Sequence, residues 1–295
     1  MNKNESGGRY DDTFTGGEQM SSEQTFGGEW TEKKLDAVEK YLGFFTSALK
    51  NQNFKLCYID AFSGSGNVTL KNGVVTDGSA IRALKYPFDK YFFIENDKVF
   101  YNALNEKIEN EYPDKADAVS ILEGDCNKLL QSIDSRQWRA ESWRGVIFLD
   151  PYAMDLDWES LEKISNTQAF DVWYLFPFSA VNRNLYKNGR IPKANEEKLN
   201  KIFGTTDWKE QLYADSPQMT LFGDFEKEKI PDGLRQFIVK RLKETFSNVA
   251  DKPAVLKNKT NSPLFLLCFA VSNPNPSAWG LALKGANHIL KSAED

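Results

Sequence analysis

The sequence predicts an α/β protein built on a doubly wound, mostly parallel sheet, with a helical insertion between its late strands. Three observations predict it. Short apolar runs alternate with amphipathic stretches of helical spacing, the pattern of βαβ units. The runs are continuously apolar, as strands buried on both faces must be. Several of them end on a carboxylate, at Asp60, Glu95, Asp125 and Asp150. In open α/β sheets, ligands bind outside the carboxyl ends of the strands, so these groups are expected to converge on one crevice.

The elements follow in order. Residues 1–25 are polar and Gly-rich and bury too little apolar surface to offset ordering entropy, so they are expected to be disordered. The folded domain is expected over 26–295. Trp30 to Lys50 reads as a helix capped by Thr31, with Leu35, Val38, Leu42, Phe45 and Leu49 on one buried stripe. Phe54 to Phe62, Tyr91 to Ile94, Val119 to Leu122, Gly145 to Leu149 and Phe170 to Phe176 read as strands. Helices are expected between them, at Gly78 to Tyr86, Val99 to Tyr112, Asn127 to Ile133 and Asp157 to Ser165. Residues 182–255 are more polar, with helices expected at Asn195 to Phe203 and Gly233 to Phe246, and the sheet is expected to resume at Leu264 to Val271. Such inserts commonly carry recognition of substrate or partner.

Composition narrows the chemistry. The chain has 295 residues, 41% hydrophobic and 27% charged, which is ordinary globular usage. No apolar run approaches the roughly 20 residues needed to cross a bilayer. No membrane contact and a cytoplasmic location are therefore expected. The three cysteines, Cys57, Cys126 and Cys268, are far apart and read as reduced thiols. A single histidine, His288, excludes a metal site built on paired histidines, and no metal is expected. Catalysis has to run on carboxylates, hydroxyls, amides and backbone. A net charge of −5 argues against an extended grip on duplex DNA.

The strand ends carry the functional signal. Asp60-Ala61-Phe62-Ser63-Gly64-Ser65-Gly66 closes the first strand, and Gly64 and Gly66 are expected to let the backbone turn tightly beside a ligand. A dinucleotide fingerprint would need a third glycine where Thr69 stands and an immediate helix, yet the helix is expected only near Ser79. A nucleoside ligand without phosphates fits better, and S-adenosylmethionine is of that kind. Asp60, Phe62, Gly64, Gly66, Glu95 and Asp125 are the expected cofactor contacts, Glu95 at the ribose hydroxyls and Asp125 at the adenine amine. Asp125 also reads as a cap on the helix that follows it.

Asp150-Pro151-Tyr152 is the expected reaction centre. It resembles the Asp-Pro-Pro-Tyr signature of methyltransferases that modify exocyclic amines of nucleobases, with one proline missing. A carboxylate that accepts the amine N–H directs its lone pair, and a tyrosine ring gives an unstacked base a face to lie on. Between Val181 and Lys201 six basic residues stand against two acids, and Arg183, Lys187 and Arg190 are expected at a substrate or partner surface.

Taken in order, Phe26-Gly27-Gly28-Glu29-Trp30-Thr31-Glu32-Lys33-Lys34-Leu35, Tyr58-Ile59-Asp60-Ala61-Phe62-Ser63-Gly64-Ser65-Gly66, Asp77-Gly78-Ser79-Ala80, Phe93-Ile94-Glu95 and Phe148-Leu149-Asp150-Pro151-Tyr152 resemble the three-Cys-motif partner proteins of bacteria and archaea. The resemblance spans roughly residues 26–290. It implies a class I, Rossmann-like methyltransferase fold. It also implies a radical-S-adenosylmethionine-like neighbour with three cysteines, in mobile or defence-associated loci. Members commonly carry glycine after Asp-Pro-aromatic, where this chain has Ala153. Trp30, Lys33 and Lys34 match the opening motif, and read either as a lid over the cofactor pocket or as a helix on the sheet edge with solvated lysines. Three functions stay open: methyl transfer to a nucleobase of DNA or RNA, methyl transfer to a protein or small molecule, and a non-enzymatic module that binds a nucleotide-like ligand and docks on a three-cysteine partner.

Overall fold

The computed structural model describes residues 28–71, 73–185, 191–213 and 230–294. The expected N-terminal tail, Lys187 and Arg190 lie outside the described residues. Helix α1 (Glu29–Leu49) leads into β1 (Lys55–Asp60). A hairpin of β2 (Asn67–Thr69) and β3 (Val75–Asp77) follows, then α2 (Ser79–Ala83), β4 (Lys90–Glu95), α3 (Lys98–Glu111) and β5 (Val119–Glu123). Next come α4 (Cys126–Gln131), α5 (Ser135–Ala140), β6 (Trp143–Leu149), α6 (Trp158–Asn166) and β7 (Phe170–Phe176). Helices α7 (Phe178–Asn184), α8 (Lys193–Phe203), α9 (Trp208–Tyr213) and α10 (Ile230–Thr245) separate β7 from β8 (Asn248–Val249), β9 (Ala254–Lys257) and β10 (Pro263–Val271). Helix α11 (Pro276–Glu294) closes the described chain.

Eight strands form one sheet in the order β5-β4-β1-β6-β7-β10-β8, with β9 also paired to β10. The pairs β4–β5, β1–β4, β1–β6 and β6–β7 are parallel, and β10 runs antiparallel to its neighbours. The sheet is doubly wound and Rossmann-like, as expected. The chain travels outward from β1 through β4 to β5, then returns to the other side of β1 at β6. That reversal makes the carboxyl ends of β1 and β6 the switch point of the sheet, where such folds bind ligands.

Alternation along the strands divides the core. Cys57, Ile59, Ile147, Leu149, Val172 and Tyr174 face one layer, which holds α4, α6, α8, α9 and α10. Tyr58, Phe93, Val146, Phe148, Trp173 and Phe269 face the other, which holds α1, α2, α3 and α11. The late helices therefore share a core with the sheet. Phe203 packs edge-on against Phe237 at 5.0 Å, and Trp158 of α6 donates to Thr245 Oγ1 at 3.1 Å.

Three expectations need correction. Helix α1 begins at Glu29, two residues before Thr31, and Gly28 is its cap position without a side-chain bond. Thr31 is buried in the first turn because it falls on the stripe that continues through Lys34, Leu35 and Val38. The stretch from Asn67 to Asp77, where no strand was expected, contains the β2–β3 hairpin. The sheet resumes before Leu264, at β8 and β9, whose two and four residues are too short to show a period.

One buried carboxyl links the layers to α1. Tyr41 donates to Asp171 Oδ2 at 2.6 Å, and burial pushes the Asp171 carboxyl up to about 7. The folded state therefore holds this proton between the ordinary value of 3.8 and about 7, where the unfolded chain releases it. Stability from this group is greatest at low pH and is lost as pH rises through that window. Asp171→Asn keeps an acceptor for Tyr41 without the ionisation. Urea denaturation at pH 5 and pH 8 is expected to show the variant gaining on the wild type at the higher pH. The slope approaches at most about 1.4 kcal/mol per pH unit. A difference independent of pH would contradict the assignment.

Candidate active site at the strand ends

The turn after β1 is pinned from three sides. Asp60 is fully buried, and its carboxylate accepts from Phe62 N at 3.3 Å and from Tyr58 O–H at 3.2 Å. Burial raises its carboxyl to about 6, with the negative charge of Asp150 adding to the rise and hydrogen bonds opposing it. Ser63 N donates to Ile94 O at 3.0 Å, so the turn is stitched to the end of β4. Gly64 N donates to Glu95 Oε2 at 2.8 Å, while Asp97 N donates to Glu95 Oε1 at 2.8 Å. Burial also raises Glu95 above its usual range. A carboxylate has about four acceptor sites, so Glu95 keeps capacity to receive a ligand hydroxyl.

Gly64 and Gly66 both adopt left-handed backbone, at φ 62° and 84°. For Gly66 the second reason differs from the one expected. A β-carbon there would meet Leu104 Cδ1 at 2.9 Å and Ile81 Cγ1 at 3.1 Å, so the missing side chain answers the protein's own core. Asp60 is likewise turned inward and fastens the turn.

A cavity of about 730 Å³ opens beside these ends, a size suited to a cofactor. Phe62 and Glu95 from the first two strand ends, Asp125 from the third and Tyr152 after the fourth all line it. Asp125 also caps α4, accepting from Lys128 N at 3.1 Å. Asn127 was not singled out in the sequence. Its amide accepts from Asp157 N and Ser160 Oγ at 2.9 Å each, and donates to Asp155 O at 2.7 Å, which ties α4 to the loop after Tyr152.

Asp150 and Pro151 follow β6 directly, and neither is among the residues that line the cavity. Tyr152 is 81% exposed, a free aromatic face at the cavity wall. Ala153 stands at φ 52°, a left-handed conformation that explains why glycine suits this position; alanine there costs roughly 1–2 kcal/mol. Lys34 was singled out in the sequence, but its pairing with Asp150 was not. It is buried and forms an ion pair with Asp150 Oδ2, so it is not a solvated lysine. Its spacing was the available signal, since it lies on the apolar stripe of α1 between Thr31 and Val38.

Two exposed lysines of the basic stretch have an acidic neighbour. Lys193 pairs with Glu197 at 4.0 Å, Lys201 with Asp157 at 3.9 Å, and Arg183 is exposed and donates to Ser179 Oγ at 2.8 Å. Among the described residues no group of three or more His, Cys, Asp or Glu is placed to hold a metal, and the cysteines are free and buried. No helix among the described residues is long and apolar enough to cross a membrane.

No family model matches the chain, and no curated protein matches it. Solved structures do. A protein from Legionella pneumophila is 14% identical, with 87% of this chain and 92% of that one covered, at a TM-score of 0.48. Trm1 from Pyrococcus horikoshii, solved with S-adenosyl-L-methionine, is 13% identical, with 87% and 58% covered, at 0.42. TYW2 from M. jannaschii, in complex with AdoMet, is 11% identical, with 82% and 77% covered, at 0.36. These are distant likenesses of fold, and the chemistry rests on the residues above.

The turn geometry carries a direct test. Gly66→Ala is expected to cost roughly 2–4 kcal/mol through overpacking and left-handed strain, read by urea denaturation. Unchanged stability with lost ligand binding would instead place Gly66 against the ligand.

Proposed function

We propose that the chain is an S-adenosylmethionine-dependent methyltransferase whose acceptor is an exocyclic amine of a nucleobase. The observation that carries this reading is the convergence of Phe62, Glu95, Asp125 and Tyr152 on one cavity at the switch point of the sheet. The donor set fits a nucleoside. Glu95 and Asp125 offer acceptors to ribose hydroxyls and an adenine amine, on walls that also carry Asp97, Asp155 and Asp157 and the lysines Lys128, Lys198 and Lys201. Bound S-adenosylmethionine supplies an electrophilic methyl group. The chain's own residues hold the acceptor. Asp150 receives an N–H, which directs the nitrogen lone pair, and its carboxylate takes the proton released as nitrogen gains a substituent. Tyr152 stacks on the base, a contact worth roughly 1–3 kcal/mol.

A second reading, methyl transfer to a protein or small molecule, is favoured by one observation. The acids on the cavity walls, Glu95, Asp97, Asp125, Asp155 and Asp157, outnumber the lysines there, Lys128, Lys198 and Lys201, which does not favour a polyanion. Docking on a three-cysteine partner protein belongs to the same proposal and rests on the sequence motifs alone.

Incubation with S-[methyl-³H]adenosylmethionine and separate DNA, RNA, peptide and metabolite pools tests the acceptor. Label is expected in the nucleic-acid pools and is expected to vanish with Asp150→Ala. Label that survives that substitution sinks the role of Asp150, and label confined to peptides or metabolites selects the second reading. Tyr152→Ala is expected to weaken acceptor binding about 5- to 150-fold and cofactor binding little. Equal losses for both would count against stacking.

A further inference from the structure

We propose that Lys34 is a positioning residue for the acceptor: its ammonium fixes one oxygen of Asp150, neutralises the carboxylate, and leaves the other oxygen to receive a neutral amine. The proposal rests on the methyltransferase reading of this crevice. Lys34 comes from α1 and Asp150 from the end of β6, elements far apart in sequence. Their side chains are only 4% and 20% exposed. The Lys34 ammonium also lies 5.2 Å from the Trp30 ring centroid, and Trp30 in turn packs on Phe265 of β10 at 4.6 Å. The cation is thus held by an aromatic face as well as by the carboxylate.

Stability gives no reason for this pair. Removing two charges from water costs several kcal/mol per ion, and well-packed apolar residues of similar volume are often as stable or more so. The pair does, however, restrain a carboxylate at the proposed reaction centre. Its backbone is set by β6 and its Oδ2 by Lys34, and no described hydrogen bond reaches Oδ1. An incoming N–H therefore meets an acceptor of fixed direction. Misplacing such a group by about 1 Å costs on the order of 100-fold in rate. The charge matters too. With Lys34 beside it, Asp150 attracts a cation less than a lone carboxylate would, which favours an aromatic amine over an aliphatic ammonium.

The test uses the full chain with S-[methyl-³H]adenosylmethionine, single-stranded oligonucleotides containing all the bases, and lysine-containing peptides. Wild type is compared with Lys34→Met, Lys34→Arg and Trp30→Leu. Lys34→Met is expected to stay folded by circular dichroism and to lower kcat on the oligonucleotides about 100-fold. Its calorimetric affinity for S-adenosylhomocysteine is expected to be nearly unchanged, and Lys34→Arg is expected to recover most of the loss. Trp30→Leu, which loosens the ammonium without removing it, is expected to lower kcat about tenfold. It carries the test if Lys34→Met unfolds. Full turnover by folded Lys34→Met, loss of cofactor affinity in step with turnover, or wild-type label on peptide lysines would overturn the proposal. Wild-type protein that labels no pool removes the methyltransferase reading itself, and the role of Lys34 with it.

Discussion

Parallel pairing sets the terms for everything else in this molecule. Because β5, β4, β1 and β6 run side by side in one direction, their carboxyl ends share one edge, and the loops that leave them must meet there. The reversal of strand order at β1 opens the crevice, and the Gly64–Glu95 hydrogen bond joins two of its sides. Asp150 and Tyr152 arrive from the fourth strand. A change of register would turn these side chains away together, since the same alternation feeds the two aromatic core layers.

Buried charge marks where the fold departs from what packing alone favours. Asp60 and Asp171 sit in the interior with carboxyls raised to about 6 and about 7, so burial wins over the hydrogen bonds they accept. Lys34 and Asp150 are taken out of water as a pair. Taking each of these charges out of water costs free energy that its partners have to offset. Asp60 and the Lys34–Asp150 pair stand at the same strand ends, close enough for Asp150 to raise the Asp60 carboxyl. Asp171 lies at the start of β7 and ties α1 to the sheet through Tyr41.

Much of the fold was legible because most of its long elements have clear periods, although the 19-residue α11 was not read from the sequence. The central strands are continuous apolar runs, and α1, α3, α6 and α8 show helical stripes, so their placement followed from pattern. Strands of two to four residues, such as β2, β3, β8 and β9, have no measurable period and were missed. Of the four carboxylates expected at the strand ends, Glu95 and Asp125 line the cavity and Asp60 and Asp150 do not, a difference of direction that the sequence did not show. Asp60 turns inward, and Gly66 is needed for Leu104 and Ile81, facts that depend on contacts from α2 and α3. Thr31 looked like a cap because it precedes an apolar stripe, whereas it belongs to that stripe. Lys34 was the informative exception, a charge at a buried spacing whose partner lies in another element. In the basic run from Arg183 to Lys201, the partner of Lys201 is Asp157, which lies outside the run and so could not be read from it.

A crystal structure of the full chain with S-adenosylmethionine tests the central claim most directly. The expected result is a ribose at Glu95, an adenine beside Asp125 and a sulfonium methyl directed at the Asp150 carboxylate. A ligand bound away from the β1–β6 switch point, or a methyl group facing away from Asp150, would contradict it.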